Sequence, residues 1–99
     1  MKDQLALLRK CLVNEIPAVV FQGDDSCTVE VLEAALEIYR RHGASCEFLY
    51  DFQNVIEDVK KYQKQNPHRL KLADMTEVEK KKAIHELKLG KNPWRENQR

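Results

Sequence analysis

The side chains with the most reactive chemistry lie at residues 23–28, Gly-Asp-Asp-Ser-Cys-Thr. Cys27 falls near the start of a predicted helix, a position that favours a nucleophilic thiolate, but the adjacent carboxylates of Asp24 and Asp25 oppose that effect. No histidine is close in the sequence and no G-x-S-x-G motif is present, although three histidines elsewhere could approach in the fold. We therefore interpret the stretch as a turn that caps a helix, and an enzyme site there is the least favoured alternative.

The same turn is a candidate for binding phosphate or a divalent cation. Helix N-termini attract anions, but Asp24 and Asp25 would repel a phosphate, and the turn matches neither the P-loop nor the dinucleotide fingerprint. The two carboxylates also lack the alternating oxygen ligands of a calcium loop. The three Cys and three His residues of the chain show no zinc-ligand spacing. The sequence therefore predicts no metal and no cofactor.

Positive charge is concentrated in the second part of the chain. Residues 1–59 contain 5 Lys/Arg and 11 Asp/Glu, whereas residues 60–99 contain 12 and 5, so net charges of −6 and +7 give the formal +1. The basic part could contact nucleic-acid phosphates, with Tyr62 and Trp94 available for stacking on bases. No helix-turn-helix, zinc-finger or basic-zipper signature supports recognition of a specific base sequence. The acidic first part offers the alternative partner, within the chain or in a second copy.

Apolar residues recur at helical spacing in four stretches, which predicts four helices. Start and stop signals flank them, including the Thr76-x-x-Glu79 capping box and glycines at positions 43 and 90. Apolar residues also alternate with period two over residues 46–52, so the first turn of the third stretch could instead be extended. The predicted helices cover residues 3–14, the stretch from Cys27 to His42, the stretch between Ser45 and Pro67, and the stretch from Glu77 to Leu89.

A short apolar run at residues 18–21, Ala-Val-Val-Phe, follows Pro17 and precedes Gly23. It predicts a brief buried strand or an extended connector. A strand would pair with residues 69–72, which alternate with period two, or with the same run of a second copy, antiparallel across a two-fold axis.

Length and composition indicate one domain over residues 1–90, followed by a polar tail at residues 91–99. The 99 residues are 42% hydrophobic and contain no apolar run near the ~20 residues that span a bilayer. An odd number of cysteines without a C-x-x-C pair fits a reducing compartment. We therefore expect a cytoplasmic protein without a membrane segment.

The stretch at residues 19–28, continued by residues 32–39, resembles small bacterial proteins of Bacteroides-type genomes and mobile elements. The resemblance covers about a third of the chain. It implies a bacterial cytoplasmic accessory protein, and no activity, cofactor or catalytic residue comes with it.

These observations predict a mainly α domain of three or four helices, with at most one short strand pair. The leading functional hypothesis is a non-enzymatic interaction module that self-associates as a homodimer or binds a protein partner. The alternative is an accessory protein that contacts nucleic acid through its basic C-terminal part. The candidate interaction residues are Val19, Val20, Phe21, Asp24, Lys80, Lys81, Lys82 and Trp94.

Overall fold

The computed structural model describes residues 3–91, and they form a mainly helical domain with four α-helices. A single 3-10 turn follows the third helix and a wider π-type turn at Leu87–Lys91 follows the fourth. The prediction of a small, mainly α domain is confirmed. The helices are α1 (Gln4–Val13), α2 (Thr28–Arg41), α3 (Cys46–Gln65) and α4 (Glu77–Glu86).

Local signals set the helix ends. Asp3 accepts a hydrogen bond from the amide of Ala6 at the start of α1, and Ser45 accepts one from Phe48 at the start of α3, so the first turn of α3 is helical and not extended. Thr76 begins α4 with the predicted capping box. α4 ends at Glu86, short of the predicted Leu89, because the chain widens there into the π-type turn.

α2 and α3 are the one pair of the four helices that pack against each other in residues 3–91. Gly43 adopts a φ of +82° in the connection between them, a conformation that L side chains rarely adopt. Tyr39 of α2 stacks edge-on against Phe48 of α3 with ring centroids 5.0 Å apart, and Phe52 lies 5.8 Å from the same tyrosine ring. Ile56 is the buried hydrophobic residue of the described chain, so the core centres on this hairpin.

No strand forms in the described residues, and one bridge replaces the predicted strand pair. Lys71 pairs with residues 24–26: its amide donates to the carbonyl of Asp24 over 3.0 Å, and its carbonyl accepts from the amide of Ser26 over 2.8 Å. The pairing of residues 69–72 with residues 18–21, one of the two alternatives that the sequence left open, therefore does not form within residues 3–91. Lys71 pairs with the turn at residues 23–26 instead, because Gln63 near the end of α3 holds that turn in position.

The chain exposes far more surface than a compact domain does. Its accessible area is 8682 Å², while a compact protein of its mass exposes about 5800 Å². The radius of gyration is 16.9 Å, against about 13 Å for a compact domain of this length. Among the residues that the structure describes, no helix is both long enough and apolar enough to cross a bilayer.

Candidate interaction surface

The turn at residues 23–28, which contains Cys27 and the two aspartates, is held against α3 by hydrogen bonds. We call these contacts the anchor. The side-chain amide of Gln63 in α3 donates to the backbone carbonyls of Gly23 and Asp25, at 3.1 and 3.0 Å. The buried hydroxyl of Thr28 donates to the carbonyl of Gln22 over 2.6 Å. The carbonyls of Gln22 and Asp25 also accept from the backbone amides of Asp25 and Thr28, so Gln63 and Thr28 add side-chain bonds to a turn that is already hydrogen-bonded locally.

The ring of Tyr62 in α3 lies beside Gly23. A Cβ added at that glycine would lie 3.5 Å from the Tyr62 ring of α3, which is ordinary van der Waals contact. The carboxylate of Asp25 accepts a hydrogen bond from the amide of Cys27, just before α2. The side chain of Cys27 makes no capping hydrogen bond. The turn therefore closes against α3 through backbone and ring contacts, with the exposed Cys27 on its outside.

A small polar cavity of about 140 Å³ lies beside this turn. Asp24, Asp25 and Asp74 contribute carboxylates and Lys71 lines it as well, and no histidine is among its lining residues. In residues 3–91, no group of three His, Cys, Asp or Glu side chains is arranged to hold a metal ion. The candidate residue Asp24 therefore sits in a shallow, mixed-charge pocket next to the anchor.

A larger apolar groove opens between the N-terminal part of the chain and the α2–α3 hairpin. Its volume is about 570 Å³. We call it the open groove; α1 and residues 18–21 form one wall, and α2 and α3 form the other. Its lining includes Leu5, Leu8, Cys11, Val19, Val20, Phe21, Leu32, Tyr39, Phe48, Phe52, Val55 and Val59.

Three of the predicted interaction residues lie in the wall of the open groove and remain exposed. Val19 is 75% exposed, Val20 is 68% exposed and Phe21 is 48% exposed. Their neighbours on α1 behave alike, because Leu5 and Leu12 are largely exposed as well. An apolar patch of this kind marks an association surface more often than ordinary solvated surface.

α1 itself is apolar on nearly every side. Its sequence, QLALLRKCLV, interrupts the apolar residues only with one glutamine and an Arg9-Lys10 pair. A helix of that composition is normally buried on more than one side. Here α1 packs against none of the other three helices at backbone distances in residues 3–91, and reaches the hairpin only across the open groove.

The basic residues of α4 lie on a separate surface. Lys80 is committed to local ion pairs, 2.8 Å from Asp74 and 3.8 Å from Glu77, and its hydrogen bond to Asp74 lowers the pKa of that carboxyl. Lys81 and Lys82 are exposed, and neither forms an ion pair with a described residue. Trp94, the remaining candidate, lies outside the described residues, as does the tail from residue 92 onward.

Among residues 3–91, one ion pair between helices joins the acidic and basic parts of the chain. The Lys60 ammonium of α3 lies 3.3 Å from a Glu33 carboxylate oxygen of α2, and the hydrogen bond between them raises the pKa of Lys60. Both side chains are about half exposed, so this pair contributes little to stability. Most of the acidic side of α2 and the basic side of α4 remain apart.

The excess surface has the size of a protein interface. Ten residues lie outside the described range, and ten residues of any chain expose at most roughly 1900 Å². The rest of the chain still exposes roughly 1400 Å² more than a compact domain of the same mass. A partner in a standard complex covers about 800 Å² on each side, and obligate dimers cover more.

Sequence reasoning identified part of this surface. It singled out Val19, Val20 and Phe21 from their composition, but it did not place them opposite the apolar stripe of α3, and it missed the anchoring role of Gln63. Gln63 lies 40 and 38 residues from its two carbonyl acceptors, and no local pattern records such a distant contact.

Comparison with known proteins returns no match: neither a protein-family model, nor a curated sequence, nor a solved structure is significantly similar to this chain. The functional argument therefore rests on the geometry and chemistry of the surfaces described above.

Proposed function

We propose that this protein is a non-enzymatic interaction module that self-associates, with a second copy covering the open groove and the exposed side of α1. The observation that carries the proposal is the surface excess, which matches one side of a stable dimer interface. A cytoplasmic location in a bacterium, predicted from the sequence, is part of the same proposal.

The hydrophobic effect favours this arrangement. Exposed leucine, valine and phenylalanine side chains gain about 25 cal/mol for each Å² that a partner removes from water. The described chain provides one buried hydrophobic residue, Ile56, although 42% of its residues are hydrophobic. A second copy supplies the same apolar surface in return, because a two-fold interface brings identical patches together.

Light scattering tests the proposal through the molar mass in solution, at low and at moderate salt. We expect about 23 kDa, twice the chain mass of 11.6 kDa, at both salt concentrations, because apolar contacts are not screened. The variant Val20→Asp should be monomeric. The matched control Val78→Asp, which places the same charge on an exposed position of α4, should remain a dimer. A wild-type monomer at both salts would refute self-association.

A second candidate function is contact with nucleic acid through α4. Its specific support is the pair of exposed lysines, Lys81 and Lys82, on a helix that packs against none of α1, α2 and α3 within residues 3–91. Phosphate contacts would make binding fall steeply with salt. The double variant K81E/K82E should then lose retention on DNA or RNA at low ionic strength. Absence of any retention of the wild type at low salt would rule this function out.

A further inference from the structure

Residues 18–21 are a β-prone segment whose backbone has no hydrogen-bond partner among residues 3–91. The segment lies within residues 16–22, which run without helix, turn or bend. In the part of the chain that the structure describes, no N–H or C=O group of residues 18–21 makes a hydrogen bond. Valine and phenylalanine favour extended backbone, and an exposed apolar strand edge is a template for pairing with another strand.

We propose that residues 18–21 of two copies pair as antiparallel strands around a two-fold axis at the centre of the dimer. This inference rests on the proposed self-association and specifies its contact. The occupant is a second copy because the surface excess lies between what one side of a standard interface and one side of a large obligate dimer interface covers, and because the segment is continuous with the apolar wall of the open groove. Strand pairing fixes the direction and register of the two segments, which apolar burial alone does not specify.

The chain limits the pairing at both ends. Pro17 has no N–H to donate, so a ladder cannot gain a donor there. The carbonyl of Gln22 already accepts from the amide of Asp25 over 3.1 Å and from the hydroxyl of Thr28 over 2.6 Å. The Pro17 nitrogen and the Gln22 carbonyl therefore contribute no bond to the ladder.

Symmetry restricts the register further. In an antiparallel pair of identical strands, the two-fold axis passes between a residue and its own copy. Within residues 18–21 that residue is Val19 or Val20. With Val20 on the axis, the backbone of Val19 pairs with that of Phe21 in the second copy; with Val19 on the axis, Ala18 pairs with Val20 in the second copy.

Symmetric disulfide formation tests the pairing. Opposed residues in an antiparallel pair have Cα atoms about 4.5 or 5.5 Å apart, within the usual range for a disulfide. V19C and V20C would be prepared in full-length chains carrying C11A, C27S and C46S, with V78C in the same background as control. We expect V19C or V20C to form a disulfide-linked dimer at least about tenfold faster than V78C.

Amide hydrogen exchange on the wild type gives a second readout that needs no variant. Amides of residues 18–21 should exchange at least about tenfold more slowly at high protein concentration than at low concentration. Protection should alternate along the segment, since alternate residues point their N–H groups at the partner. Exchange that is fast at every concentration would overturn strand pairing.

The outcomes separate this inference from the proposed function. A dimer by light scattering, in which V19C and V20C cross-link no faster than V78C, would overturn the strand contact and leave self-association standing. A monomer by light scattering would overturn both. A dimer with rapid cross-linking at either valine supports both.

Discussion

The anchored hairpin, α2 and α3 with the turn at residues 22–28, differs in almost every physical respect from the N-terminal segment, α1 with residues 16–21. In the hairpin, Gln63 donates to two carbonyls that are distant in sequence, Thr28 donates to the nearby Gln22 carbonyl, and Ile56 is fully buried. In the N-terminal segment, large apolar side chains are exposed and residues 18–21 make no backbone hydrogen bond within the described chain.

The contrast separates two kinds of stability. The hairpin holds its shape through contacts made within one chain. The N-terminal segment has the composition of a buried element, yet its large apolar side chains are exposed, which supports the proposed self-association. We infer that folding of the first region is local and that order in the second depends on association. The predictions below test that division.

Replacing the buried core residue should produce the greatest change. Ile56→Ala removes a fully buried side chain and leaves a cavity between α2 and α3, so we expect the free energy of unfolding to fall by about 3 kcal/mol. Urea denaturation followed by circular dichroism measures the loss. A loss of less than about 1 kcal/mol would show that the hairpin is not the stable unit.

A charge on the exposed side of α1 should weaken association and leave the single chain intact. Leu12→Asp places an unpaired carboxylate in the proposed dimer interface, so the dimer dissociation constant should rise at least about a hundredfold. Sedimentation equilibrium measures that constant. The control Lys10→Asp, on the polar side of the same helix, should leave association near the wild-type value, and equal effects of both variants would contradict the assigned interface.

The anchor contributes a moderate part of the hairpin's stability. Gln63→Met keeps the approximate size of the side chain and removes both of its hydrogen bonds to the turn, which should cost about 1 to 2 kcal/mol. Thermal unfolding measures the effect, with Gln65→Met, at an exposed position of the same helix, as the control. Equal thermal midpoints for the two variants would show that the hydrogen bonds of Gln63 do not stabilise the turn.

The cross-helix ion pair should give the smallest effect, visible only in alkaline solution. Because Glu33 raises the pKa of Lys60 in the folded chain, the stabilisation is complete below the unfolded lysine pKa of about 10.4 and is lost as pH rises through the folded pKa. The wild-type Tm should therefore fall slightly more than that of Lys60→Met between about pH 9 and pH 11. Parallel pH profiles of the two proteins would show that the pair contributes nothing.

Local signals predicted the helices well. The capping box of Thr76 and Glu79, the Ser45 cap and the left-handed Gly43 all depend on residues within a few positions of one another, so the sequence records them directly. The end of α4 was predicted late, because Leu87 and Leu89 continue the apolar pattern into the π-type turn.

Tertiary contacts were harder to predict. The choice of residues 24–26 over residues 18–21 as the partner of Lys71 depends on how Gln63 and Tyr62 hold the turn, and neither side chain marks that contact in its local pattern. At the candidate site, composition singled out Val19, Val20 and Phe21 for interaction and left a buried strand or an extended connector open; the run is an exposed, extended connector. The groove itself requires the relative positions of α1 and the hairpin, which periodicity does not encode.

Thermal unfolding over a hundredfold range of protein concentration tests the central claim most directly, because it asks whether a second copy completes the fold. If the folded protein is a dimer, each hundredfold rise in concentration stabilises it by about 2.7 kcal/mol, and the midpoint should rise accordingly. A midpoint that stays constant over the whole range would contradict the account, since the chain would then be stable with its apolar N-terminal segment facing water.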